Sequence, residues 1–328
     1  MMKRKQIISL IVVALLLMMA IIVAAITGSL RVTPLELVTG LIFGGNDQVD
    51  IIKDLRFPRI IIAIFAGAAL SVSGLLLQAV MRNPLADPGI IGVSAGASFM
   101  SLLMAALVPA LYFFTPLFAF LGGALGFFLV YTLSWRGGVN PLRMVLIGIA
   151  IHSVFSGLAS ALGMQSSSLI SSMTQMSSKL SMKTWSEADT LVICSSVGLV
   201  LALLVYRWCN YLALEDKTAR NLGLNVNLMR FVISMIAVLL AAVATSIAGV
   251  FTFVGLLVPH IGRLLVGSDH KILTPFSIMA GAVLILTADT IGRALMPPHE
   301  IPASVIMAVI GGLFFIILLR KSGRFHGN

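Results

Sequence analysis

An all-α polytopic membrane protein with about ten transmembrane helices is the fold class this sequence predicts, and two observations carry it. The 328 residues are 59% hydrophobic and 10% charged, against about 45–50% and about 25% in soluble domains, and mean hydropathy is +1.07. Apolar runs of about 20 residues, the length that crosses a bilayer core, recur along the chain. A soluble globular protein is excluded. Cys194 and Cys209 form no CxxC or His–Cys cluster, so neither a disulfide framework nor a zinc or iron–sulfur site is indicated.

The first run, 6–27, follows Met1-Met2-Lys3-Arg4-Lys5. It is longer than a signal-peptide core and lacks a small-residue cleavage site, so it reads as a retained transmembrane helix. Further runs lie at 60–80, 91–109, 116–134, 143–164, 190–208, 230–249, 251–266, 272–292 and 303–320. Lipid offers no hydrogen bonds, so each must be a helix, and residues 1–328 form a single transmembrane domain. Ten spans put both termini on one side. Placing both in the cytoplasm puts fifteen of the 22 Lys and Arg inside and seven outside, the asymmetry that the positive-inside rule requires. The net charge of +10 is spread singly between apolar runs, which fits a membrane and not a nucleic-acid patch.

Two outer segments are long, Gly28 to Phe57 and the Ser- and Met-rich Gln165 to Asp189; the second is expected to hold a short interfacial helix. The inner segment 207–229 carries Glu215 to Gly223, whose acidic start and terminal glycine read as one short capped helix. It is either a cytoplasmic docking element or a solvated connection. Spans two to five and seven to ten have opposite predicted orientations. A Gly-Leu-Leu element recurs in both sets, at Gly74-Leu75-Leu76 and Gly255-Leu256-Leu257, as in an inverted repeat.

No lysine follows a glycine, so the chain has no phosphate-cradling P-loop and does not hydrolyse ATP itself. HExxH is absent and intramembrane acids are almost missing, which argues against a metalloprotease or a proton-relay pump. In Leu55-Arg56-Phe57-Pro58-Arg59, two guanidiniums sit at the outer mouth of span two, as lipid-headgroup anchors or as receptors for a carboxylate-bearing partner. Arg293, near Pro297-Pro298 and Glu300, belongs to the same rim. On the inner side, Arg82-Asn83-Pro84-Leu85-Ala86-Asp87-Pro88-Gly89 holds two Asx-Pro turn initiators and predicts a tight turn. Gly92 and Gly96, and Gly122 and Gly126, have GxxxG spacing, which serves a narrow pore or ordinary helix packing. His152 lies at mid-span, as a pathway contact or as a packing histidine. The 17 methionines read as adaptable packing.

Taken together, several segments resemble the iron-chelate and cobalamin permeases of ABC importers (FecCD-type). They are Leu55 to Arg59 with Gly67, Gly74 with Gln78, Asn83 to Ala86, Pro88-Gly89 with Gly92-Val93-Ser94, Ala219 to Gly223, Phe253 to Leu256 with Pro259-His260, and Ala288-Asp289 with Arg293, Glu300 to Pro302 and Gly311-Gly312. The likeness covers about Arg56 to Arg320. It implies a ten-helix, cobalamin-permease-like subunit of the cell membrane that pairs with a second permease subunit as a homodimer. It further implies two cytoplasmic ATPase subunits, an extracytoplasmic substrate-binding protein, and no permanently bound cofactor, ATP being used by the partner.

Carried over by position, Arg56, Arg59 and Arg293 resemble the arginines that dock the binding protein, and Thr218, Ala219, Arg220, Leu222 and Gly223 resemble the coupling helix. Ala219, Leu222 and Gly223 would form its apolar contact. Asn83 and Leu85 match the inner gate turn, while Pro141-Leu142 stand where the cobalamin permease has small hydroxyl residues opposite that turn. Leu180 to Ser186 and Met296 to Pro302 look most like haem-type permeases of iron-regulated surface uptake systems, with ferric siderophore or cobalamin import as the alternative. A secondary transporter ranks lower, because ion coupling needs intramembrane ionisable groups and Asp289 is nearly alone. A haem redox protein needs facing axial ligands that His152 by itself does not provide.

Overall fold

A computed structural model describes residues 3–28, 47–89, 91–134, 141–163, 180, 183–296 and 299–322. The described chain is helical throughout. In order the helices are α1 (Arg4–Ile26), α2 (Asp47–Leu55), α3 (Phe57–Met81), α4 (Val93–Leu107), α5 (Thr115–Ser134), α6 (Pro141–Gly163), α7 (Trp185–Leu204), α8 (Tyr206–Tyr211), α9 (Asp216–Asn221), α10 (Val226–Ala248), α11 (Val254–Val266), α12 (His270–Leu295) and α13 (Ala303–Ser322). A 3-10 turn, Pro109–Phe114, joins α4 to α5.

Each of the ten apolar runs falls on a helix, and the run 190–208 extends from α7 into α8. Among the described residues seven helices are long and apolar enough to cross a membrane, while α4, α11 and α13 are shorter apolar helices. The segment before span two holds α2, which the sequence reading does not single out. The interfacial helix expected within Gln165 to Asp189 falls largely outside the described residues; α7 begins at Trp185 and is capped by a box in which Glu187 Oε2 accepts the Thr184 N–H at 3.0 Å.

The bundle is built around α3, of whose apolar window 83% is buried, against 17% in α1 and 11% in α6. α12, α10, α7 and α11 surround α3. Small residues permit this crowding. A Cβ placed on Gly74 would sit 2.2 Å from the Gly255 Cα, so the two Gly-Leu-Leu elements cross backbone to backbone. Likewise a Cβ on Gly96 would meet the Gly122 carbonyl oxygen at 2.3 Å, and one on Gly126 the Gly92 oxygen at 2.6 Å. The two GxxxG motifs therefore pack α4 against α5.

Candidate functional site

Two polar clusters lie at opposite ends of α3. At its start Arg59 is 8% exposed, and its guanidinium grips Asp289 of α12 in a bidentate pair, with Nε to Oδ2 at 2.9 Å and Nη2 to Oδ1 at 2.8 Å. The third nitrogen, Nη1, donates to Glu300 Oε2 at 2.8 Å. Glu300 is brought there because Ile301 N–H donates to the Gly292 carbonyl at 3.1 Å, an approach that any side chain on Gly292 would block.

Arg293, one helical turn beyond Asp289, is 6% exposed and pairs with it at 3.4 Å. Its Nη1 and Nη2 donate to the carbonyls of Thr27 and Ala24 at 2.9 and 3.0 Å. Arg56, 7% exposed, donates from Nη1 to the Ala25 carbonyl at 2.9 Å. These carbonyls belong to the last turn of α1 and its cap, groups that have no intrahelical donor. The structure thus brings the three sequence-selected arginines together, with their guanidiniums turned inward to stitch α1, α3 and α12. Side-chain exposure in this cluster falls mainly to Glu300, at 40%.

At the other end, α3 stops at Arg82, whose backbone is left-handed (φ 48°). The chain then turns as the Asx-Pro pairs predict: Asn83 Oδ1 accepts the Leu85 N–H at 3.0 Å and Asp87 Oδ1 accepts the Gly89 N–H at 2.8 Å. Gln78 fastens the turn from α3, its amide donating to the Ala86 carbonyl at 3.2 Å and to the Gly255 carbonyl at 2.9 Å. Asn83 is buried and Leu85 half-buried. α6 opens at Pro141, but the side chains of Pro141 and Leu142 lie outside the described residues. His152 is half-buried on α6, close to the start of α4, and its Nδ1 has no hydrogen-bond partner among the described residues.

The segment 207–229 contains two short helices, α8 and α9, where one was expected. α9 ends in a Schellman motif: Leu224 N–H reaches the Ala219 carbonyl at 3.2 Å and Gly223 N–H the Arg220 carbonyl at 2.9 Å, with Gly223 at φ 78°. Thr218, Arg220, Leu222 and Gly223 are exposed, Leu222 at 64%, whereas Ala219 is buried at 1% against the protein's own core. The exposed surface of α9 is therefore smaller than the sequence motif. Asp216 at its first turn pairs with Arg82 at 2.7 Å and with Arg230 at 3.0 Å.

Gly92-Val93-Ser94-Ala95-Gly96 also spells the GxSxG of hydrolase nucleophile elbows. Here Ser94 is fully buried, accepts a hydrogen bond from the Thr245 hydroxyl at 3.2 Å, and lies on a helix that follows a glycine cap rather than a strand. That geometry holds α4 against α10. No group of three or more His, Cys, Asp or Glu able to hold a metal occurs among the described residues.

The model of the FecCD transport family matches residues 15–321. The chain is 39% identical over 302 residues, 92% of each chain, to the protein named "Probable heme-iron transport system permease protein IsdF" of Staphylococcus aureus strain MSSA476, and equally so to that of strain MW2. A solved structure assigned as a metal-chelate type ABC transporter in an inward-facing conformation superposes with TM-score 0.78 and 29% identity, covering 95% of this chain and 98% of that one. PsaBC of Streptococcus pneumoniae, solved with a Fab, shares the fold at TM-score 0.59 and 16% identity, covering 87% and 95%. With its motifs spread along nearly the whole of this matched length, the chain belongs to the FecCD transport family.

Proposed function

We propose that this chain is the membrane permease subunit of an ATP-driven importer of an iron chelate, with haem as the substrate. The observation that carries this reading is the 39% identity, along 92% of both chains, to a relative named for haem-iron transport. A ferric siderophore is the second reading, favoured by the metal-chelate type transporter that matches 95% of the chain. In the proposed assembly ten helices cross the membrane with both termini in the cytoplasm, a topology supported by the excess of Lys and Arg on that side. A second permease subunit, two ATPase subunits and an extracytoplasmic binding protein complete it.

Substrate passes by alternating access, driven by movement of α9 when the ATPases close. Leu222, Arg220 and Thr218 meet the ATPase, Asn83 and Leu85 gate the inner end, and His152 faces the pathway. The outer rim around Arg56, Arg59 and Arg293 receives the binding protein. Because Arg59 already holds Glu300, a partner's carboxylate reaches it by exchange with that side chain. The chain carries no resident cofactor. The test is ATP-dependent uptake of radiolabelled iron, supplied as haem or as a ferric siderophore, into vesicles holding this chain with its co-purified ATPase and binding protein. Uptake of haem is expected. Uptake of siderophore alone moves the assignment to the second reading, and uptake of neither by an assembled complex overturns the iron reading.

A further inference from the structure

Arg82 occupies an unusual position between the two inner elements just described. It is one of two non-glycine residues with positive φ among the described residues. A side chain in the left-handed region persists only where surrounding contacts hold it. Those contacts are specific here. Arg82 Nε donates to the Leu212 carbonyl at 2.8 Å, and Nη2 donates to the Leu214 carbonyl and pairs with Asp216 Oδ1 at 2.7 Å. One guanidinium thus collects the whole approach to α9 and its first residue. The backbone of the same residue leads directly into Asn83, whose side chain forms the turn, and the far side of that turn is fixed to α3 and α11 by Gln78.

We infer that Arg82 is the positioning residue that transmits displacement of α9 to the Asn83–Leu85 turn. This inference rests on the reading of α9 as the ATPase-docking helix. The physical basis is that the two ends of the link differ in stiffness. Asn83 in the turn and residues 86–89 after it are buried and multiply bonded, whereas α9 is short and largely exposed, so a force on α9 reaches the turn through the groups that bridge them. If α9 shifts, the Arg82 side chain must follow Asp216 or release it. Either event changes what holds the residue at positive φ and therefore the angle at which the chain leaves α3.

The discriminating variant is Arg82→Gly. Glycine is the residue best suited to a left-handed helix cap, so a purely structural role at this position predicts unchanged or higher thermal stability and unchanged transport. The transmitting role predicts the same stability with transported chelate per ATP hydrolysed falling about tenfold, within the range of site-to-site coupling energies. Asp216→Asn should lower the same ratio and add little in the Arg82→Gly background. Docking is followed separately by crosslinking Leu222→Cys to the partner ATPase. Crosslinking retained in Arg82→Gly, with a wild-type ratio of transport to hydrolysis, overturns the transmitting role while leaving docking intact. No crosslink even with Arg82 present overturns the docking reading, and the inference falls with it.

Discussion

Arg59 and Asp289, 230 residues apart in sequence, form a bidentate ion pair that is almost wholly buried. Asp289 is also the acid nearest Arg293, so one buried carboxylate serves two buried guanidiniums, and only Arg59 gains a second, partly exposed carboxylate in Glu300. Removing one partner of such a pair leaves an uncompensated buried charge, a loss of about 3–5 kcal/mol. Asp289→Ala is therefore expected to lower the thermal unfolding midpoint of the purified chain far more than Glu300→Ala, whose carboxylate is partly exposed. Equal midpoints for the two variants would remove Asp289 from the centre of this network. The comparison also guards any docking experiment, because charge reversal at Arg59 disturbs the fold as well as the rim.

Helix crossings should discriminate between glycines in the same way. Gly74 and Gly255 touch backbone to backbone, whereas a Cβ on Gly157 or Gly312 would meet nothing within 4 Å among the described residues. Gly74→Ala must push α3 and α11 apart and is expected to cost about 1–3 kcal/mol, as overpacking does. Gly157→Ala, in mid-helix, should be neutral or stabilising by about 0.4–1 kcal/mol. Unfolding midpoints of the two variants, in detergent of one composition, test the pair.

These two contacts show where sequence reading succeeds and stops. The apolar runs located helices because bilayer thickness dictates run length, seven of them long and apolar enough to cross a membrane among the described residues; predicted 60–80 and 272–292 became α3 at Phe57–Met81 and α12 at His270–Leu295, longer because Arg59, Lys271 and Arg293 interrupt the apolar runs before the helices end. The Gly-Leu-Leu elements were visible, but not that they cross each other, since spacing along one helix says nothing of its neighbour. Arg56, Arg59 and Arg293 read as one group in the sequence and lie together in the structure, but their inward orientation was hidden because their acceptors are Asp289 and the carbonyls of α1. α2 was missed, although Val49, Ile52 and Leu55 in DQVDIIKDL follow helical spacing. Arg82 read as one more inner cation; only coordinates show it at positive φ with Asp216 in its grip.

Asp269 gives the acid limb of stability a specific source. It caps α12, its Oδ1 accepting the Lys271 N–H at 3.0 Å and the Asn210 amide at 2.8 Å. Burial pushes its carboxyl upward, but these hydrogen bonds and the charges of His270 and Lys271 outweigh burial and hold it below the ordinary range. A depressed folded value means that the stabilisation is fully present above the unfolded pKa of about 3.9 and is lost as pH falls through the folded value. Wild type should therefore lose stability below about pH 4 more steeply than Asp269→Asn. Asp269→Ala, which also deletes the cap, should cost about 1 kcal/mol at neutral pH. Superimposable profiles for wild type and Asp269→Asn would exclude this carboxylate as a source.

Leu222 is the sharpest test of the inner surface, because it is a large apolar side chain 64% exposed just past a helix fixed by its own cap. Leu222→Asp touches no core contact, so stability should stay within about 0.5 kcal/mol of wild type, as surface changes usually do. Chelate uptake should fall sharply while the chain still inserts and folds; wild-type uptake would remove Leu222 from the coupling surface. The cysteine version of this experiment has a built-in control. Cys209, on the neighbouring α8, is buried, and burial pushes its thiol up to about 12, leaving almost no thiolate at neutral pH. A maleimide added at pH 7 should leave Cys209 unmodified and modify Leu222→Cys rapidly. Binding of the ATPase should then slow labelling at 222 alone, whereas unslowed labelling would mean that this surface stays open in the assembled transporter.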